Sequence, residues 1–75
     1  STLDYPYHII ENKSMQAALR ELVESLPERE KMVITLHYYE GLTMKSIAQI
    51  LNISESRVSQ IHSKVLMDMR KALEA

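Results

Sequence analysis

The sequence predicts an all-α fold: a small domain of four helices, three at the least, with a helix-turn-helix at its centre and a long last helix. Three observations carry this. Phe and Trp are absent, so the core must be built from Leu, Ile, Val, Met and Ala, a set that suits helices better than sheets. One Gly and two Pro leave little turn chemistry for hairpins. Apolar residues recur at spacings of three and four in successive segments, the period of a helix with one buried face.

Seventy-five residues make one domain, which buries only about 60–65% of its unfolded surface. Without Cys there is no disulfide framework and no thiol metal site, a composition that fits the cytosol. No apolar run reaches the length of a signal peptide or a membrane span. The chain starts without Met and reads as part of a longer protein. The expected division is an N-terminal linker or arm over residues 1–12 and a helical domain over 13–75. Asp4, Tyr5, Pro6, Tyr7 and His8 in the arm show no helical period.

The first helix is expected over residues 13–24, capped by Asn12, with Met15, Leu19, Leu22 and Val23 forming its apolar stripe. Ser25-Leu26-Pro27-Glu28 marks a second start, because Pro is tolerated in a first helical turn and damaging later. Ser25 and Glu28 have capping-box spacing, with Leu26 as the alternative cap ahead of Pro27. This helix is expected to reach Tyr39, bury Val33, Leu36 and one of Met32 or Tyr39, and end at Gly41. A third helix spans residues 44–51. A fourth starts after Ser54 and runs to Leu73, with Val58, Ile61, Val65, Leu66 and Met69 turned inward.

Residues 44–61 fit a helix-turn-helix closely. The motif needs a small residue where its two helices cross, and Ala48 supplies it. Its sharp turn needs a residue that accepts positive φ, and Asn52 is the next best choice after Gly. Ile47, Leu51, Ile53, Val58 and Ile61 fall where apolar packing must fix the interhelical angle. Thr43 and Ser54 are good N-caps. A second helix held this way presents its N-terminal half to a DNA major groove.

The chemistry sits on the outer face of that helix. Ser56, Ser59, Gln60 and Ser63 follow i, i+3, i+4, i+7 and form one polar stripe. Three of the four are small, which lets the backbone approach the groove floor. Gln60 can pair bidentately with adenine, while Ser can donate or accept and is less selective. Arg57 and Lys64 flank the stripe where a cation would meet phosphate. Glu55, first in the helix, favours the helix dipole and would accept from cytosine or repel phosphate. Thr43 and Lys45 stand where the third helix would cross the DNA backbone.

A net charge of −1 argues against tight, autonomous DNA binding, since affinity comes largely from neutralised phosphates. His8, His37 and His62 are too scattered to form a metal set, and no acid–base couple, nucleophile triad or phosphate-cradling Gly pattern is visible. The five Met residues read as adaptable core filler rather than a binding surface, with Met67 and Met69 suited to either use. The reading is of a non-enzyme without cofactor.

Leu26-Pro27-Glu28-Arg29-Glu30-Lys31, Tyr38-Tyr39-Glu40-Gly41-Leu42-Thr43, Ile47-Ala48 and the segment from Ser54 to Arg70 resemble region 4 of bacterial sigma-70 family transcription factors. Ser56-Arg57-Val58-Ser59-Gln60-Ile61-His62-Ser63-Lys64 is most similar to the flagellar (motility) class. The resemblance extends from about Met15 to Leu73. It implies docking on the flap of the RNA polymerase β subunit and reading of the promoter −35 element through the second motif helix. Ser56, Ser59 and Gln60 are then the base readers. Arg57 and Lys64 take backbone- or base-contacting positions, and Thr43 and Lys45 phosphate-contacting ones. Housekeeping members carry basic residues where Glu55 and Ser59 stand and an acidic one at Ser56, so an A/T-rich flagellar-type element is expected. Ser46 stands where Glu is common, which removes the usual capping box with Thr43. The class also implies an anti-sigma factor that wraps this region. As a module the chain is expected to be cytoplasmic, monomeric and without a membrane role.

Two other readings fit parts of the pattern. The effector domain of a LuxR-type response regulator is also four helices around a helix-turn-helix, but ends its recognition helix differently and lacks the Ser59–Lys64 run. A protein-interaction module of helix-turn-helix shape would explain the low basic charge.

Overall fold

The structure, a computed structural model, describes residues 12–74. Its four helices are α1 (Lys13–Ser25), α2 (Glu28–Ile34), α3 (Met44–Leu51) and α4 (Glu55–Glu74), and α2 continues without a break into a π-helical turn over Thr35–Tyr39. Among the described residues there is no strand. The expected arm with Tyr5, Tyr7 and His8 lies outside the described residues.

Each helix begins for a local reason. Asn12 is extended and its side chain accepts the Met15 N–H at 3.1 Å, so α1 opens at Lys13. Thr43 accepts from the Ser46 N–H at 3.0 Å and opens α3. Ser54 accepts from the Arg57 N–H at 3.0 Å and opens α4. The second helix departs from expectation. Ser25 still belongs to α1, and its hydroxyl donates back to the Leu22 carbonyl at 2.9 Å, so no capping box with Glu28 forms. Leu26 is not the cap either. Pro27 holds that position without a side-chain bond, and Glu28 and Glu30 place negative charge against the helix's positive end instead.

α4 is the spine, packed against α1, α2 and α3. Leu19, Val33, Ile34, Ile47, Ala48, Val58, Ile61 and Val65 form one buried cluster, and Leu36, Leu51, Ile53 and Met69 pack against it. Ile34 is a core residue the periodicity did not mark. Met32 is half-buried, whereas Tyr39 is exposed, which settles that pair. Two expected core residues face out: Met15 is 36% and Leu66 40% exposed. For Leu66 the cause is geometric. Val58, Ile61 and Val65 define the buried line of α4, and the next residue lies about 100° round the helix from it.

Two reversals bracket α3. At the first, Gly41 adopts φ 70, and the Leu42 N–H donates to the Leu36 carbonyl at 3.0 Å. At the second, Asn52 is left-handed (φ 56, ψ 47). There the Ile53 N–H reaches Ala48 O at 3.0 Å and the Asn52 N–H reaches Gln49 O at 3.4 Å. That pair of bonds is the closure a left-handed terminal residue provides. It turns the chain from α3 into α4 within three residues, with buried Ala48 letting the helices approach.

Candidate nucleic-acid interface

The fully buried residues of α4 are all apolar, which decides what the outer face presents. Val58, Ile61 and Val65 are buried, while Ser56, Ser59, Gln60 and Ser63 are all exposed. The polar stripe expected from spacing is therefore continuous and free on the surface of the second motif helix. Hydroxyl and amide groups there can exchange hydrogen bonds with base edges. Glu55 is exposed in the first turn of α4.

The flanking cations separate into two kinds. Arg57 and Lys45 are exposed and form no ion pair among the described residues. Lys64 is committed: its ammonium donates to Asp68 at 3.0 Å and to Glu30 of α2 at 3.3 Å. The hydrogen bonds it donates, first to Asp68 and then to Glu30, hold it above the ordinary lysine value. A phosphate must compete with two carboxylates for this charge. Thr43, expected at the DNA backbone, spends its acceptor on the helix cap and pairs with the Ser46 hydroxyl at 3.1 Å. The Ser46 hydroxyl thus meets the Thr43 side chain, not the cap backbone N–H that a capping-box glutamate would take.

The stripe also runs further than its four residues. Ser63, Leu66, Met67 and Arg70 line a shallow depression on the same side of α4, with Met67 57% exposed. This continuation is legible in sequence: Met67 and Arg70 stand four and seven residues after Ser63.

A second arrangement has no local signal. The π-helical turn brings His37 and Tyr38 against His62 of α4. The Tyr38 hydroxyl and His62 Nε2 are 2.8 Å apart, and their rings are stacked at 5.7 Å. His37 meets both rings edge-on, at 4.8 Å from Tyr38 and 5.2 Å from His62. His37 Nδ1 lies 2.8 Å from the Leu42 carbonyl, and since a carbonyl only accepts, Nδ1 carries the proton. Burial, then the nearby His37, lowers the His62 pKa, and burial raises that of Tyr38. Among the described residues no group of three or more His, Asp or Glu is arranged to hold a metal.

The family model for sigma-70, region 4 matches residues 22–71. The chain is 47% identical over 66 residues to the RNA polymerase sigma factor FliA of Yersinia enterocolitica, covering 88% of this chain and 28% of the relative. It is 44% identical over 68 residues to FliA of Pseudomonas aeruginosa, 91% of this chain and 28% of the relative. It is also 44% identical over 69 residues to the RNA polymerase sigma-D factor of Bacillus subtilis, 92% of this chain and 27% of the relative. The chain spans little more than a quarter of the length of these curated relatives. The match decides against a response-regulator effector. The chain belongs to the sigma-70 region 4 family, in the flagellar class that its Ser56–Lys64 segment resembles.

Proposed function

We propose that this chain is the promoter-specificity module of a flagellar-class sigma factor, reading an A/T-rich −35 element in the DNA major groove through the first half of α4. The observation that carries the reading is the free Ser56-Ser59-Gln60-Ser63 stripe on a helix whose opposite face is locked into the core. Gln60 reads adenine, Ser56, Ser59 and Ser63 make the less selective contacts, and Arg57 and Lys45 meet phosphate, with Thr43 and Glu55 at the edges of the footprint. Lys64 joins only by releasing Glu30 or Asp68.

Few uncommitted cations and a net charge of −1 support a module that borrows affinity from a larger assembly. We assign that role to the RNA polymerase core, through the β-subunit flap, with an anti-sigma factor as the competing partner. The module acts in the cytoplasm as a monomer, with no catalytic part of its own.

The test is binding to a −35 duplex and to a scrambled duplex across a salt series. A reader touching a handful of phosphates loses affinity with a log–log slope of about −0.9 per contact, and it prefers the −35 duplex. Replacing Ser59 and Gln60 with Ala should abolish that preference while leaving flap binding intact. Equal loss of both would contradict the division of labour. Salt-independent or absent DNA binding would favour a module that works only through protein partners.

A further inference from the structure

We propose that Tyr38 is a positioning residue for DNA reading: its hydrogen bond to His62 sets the roll of α4 about its own axis, and with it the placement of Ser59, Gln60 and Ser63. The proposal rests on the DNA-reading assignment above and adds to it a residue that touches no DNA.

The buried contacts of α4, through Val58, Ile61 and Val65, are aliphatic and non-directional. They hold the helix against the core but specify its rotation only through packing. The readers lie on the opposite face, so any roll moves them by the full lever arm. Side-chain tips stand about 5–6 Å from a helix axis, and a roll of about 10° therefore displaces them by roughly 1 Å. Hydrogen bonds to base edges tolerate only about 0.5 Å in length. A small roll is enough to exchange one base preference for another, or for none.

Two polar contacts from α2 and its π-helical turn bear on that rotation. Lys64 meets Glu30 on one flank of α4, but at 3.3 Å, with the lysine side chain 59% exposed and shared with Asp68. This is a soft restraint that salt weakens. On the other flank, Tyr38 meets His62 at 2.8 Å in a part-buried setting. Positions 62 and 64 lie about 160° apart around the helix, so the two contacts oppose one another across it. His62 follows Ser59 by three residues and precedes Ser63 by one, which places the stiffer contact within a turn of the readers.

The rest of the cluster braces it. The His37 N–H bond to the Leu42 carbonyl fixes that ring, and the ring sits edge-on to both Tyr38 and His62. Leu42 immediately precedes Thr43, the cap of α3. The cluster thus joins the π-helical turn, the segment entering the helix-turn-helix and the reading helix itself.

The experiment compares the chain with its Tyr38→Phe, His62→Leu and His62→Gln variants and the Tyr38→Phe/His62→Leu double variant, measuring affinity for an A/T-rich −35 duplex and a scrambled duplex at one salt concentration. Circular dichroism and thermal midpoints are recorded alongside. Tyr38→Phe keeps the ring and loses only the hydroxyl. It should leave scrambled-duplex affinity unchanged and reduce the preference for the −35 duplex about 3- to 10-fold, a partial loss of base contacts. His62→Leu should behave alike, the double variant should be no worse than either single one, and His62→Gln, which can still bond the hydroxyl, should recover preference. Unchanged preference in Tyr38→Phe would overturn the proposal. So would a parallel loss on both duplexes, which marks a structural role only. A parent chain that does not discriminate would overturn the DNA-reading assignment, and this proposal with it.

Discussion

The two reversals on either side of α3 use the same device, a single left-handed residue, yet differ in how the chain reaches it. At Asn52 the helix keeps its ordinary pitch to the end, and the closing bond runs from Ile53 to Ala48, five residues back. At Gly41 the helix has widened first: Glu40 N–H reaches Thr35 O, and the closing bond runs from Leu42 to Leu36, six residues back. One extra residue has been fitted into the turn before the glycine. As a result Thr35, Leu36, His37 and Tyr38 are half-buried in succession, and His37 and Tyr38 both reach α4. The tight reversal sets the angle between α3 and α4; the widened one brings His37 and Tyr38 against His62 of α4. Widened turns of this kind are often kept where function needs them.

Unseating α3 between the two reversals is the most severe perturbation of this arrangement. Ile47 is fully buried, and Ile47→Ala should cost about 3 kcal/mol, lowering the thermal midpoint by more than about 10 °C. Calorimetry checks this, and a loss of under about 1 kcal/mol would mean α3 is not held by its apolar seat.

Substitution at the two left-handed positions sharpens the contrast. A Cβ at Gly41 would meet nothing within 4 Å, so Gly41→Ala should reveal the backbone penalty alone, about 1–2 kcal/mol. Asn52→Ala should cost less, because Asn has already accepted part of that penalty, and Asn52→Gly should be neutral or slightly stabilising. Urea denaturation of the three variants gives the order directly.

The caps come next. Thr43→Ala and Ser54→Ala should each cost about 1 kcal/mol. The Thr43 variant also frees Ser46, and amide exchange should rise in the first turn of α3 but not of α4.

The smallest effect expected is one of pH. His62 titrates below its ordinary value of 6.5 because burial, and then His37, disfavour its charged form. As pH falls, the unfolded chain therefore binds this proton first. The contribution is whole above about 6.5 and declines as pH drops from there towards the lowered folded value. His62→Gln should flatten stability over that window in a pH series of thermal melts.

Much of this architecture was legible in the residues. Thr43, Ala48, Asn52 and Ser54 each do what their side chains suit, because caps, close approaches and left-handed turns are local events. The Ser56-Ser59-Gln60-Ser63 stripe was legible for the same reason, since helix period alone puts those residues on one face. The start of α2 was misread because Ser25 satisfies its hydroxyl backwards within α1, a choice that spacing to Glu28 does not reveal. Leu66 was misplaced because an apolar residue one step off the buried line looks the same in sequence as one on it. The π-helical turn and the Tyr38–His62 bond, between residues 24 apart, were not legible, because only the packed fold brings those rings together. Likewise the spacing that placed Lys64 beside the stripe carried no sign of Glu30.

The role proposed for the outer face of α4 is DNA reading. A ¹⁵N chemical-shift titration at low salt, with an A/T-rich −35 duplex against a scrambled one, tests it most directly. The account predicts shifts at Ser56, Ser59, Gln60 and Ser63 that differ between the two duplexes. Identical or absent shifts at these four residues would contradict it.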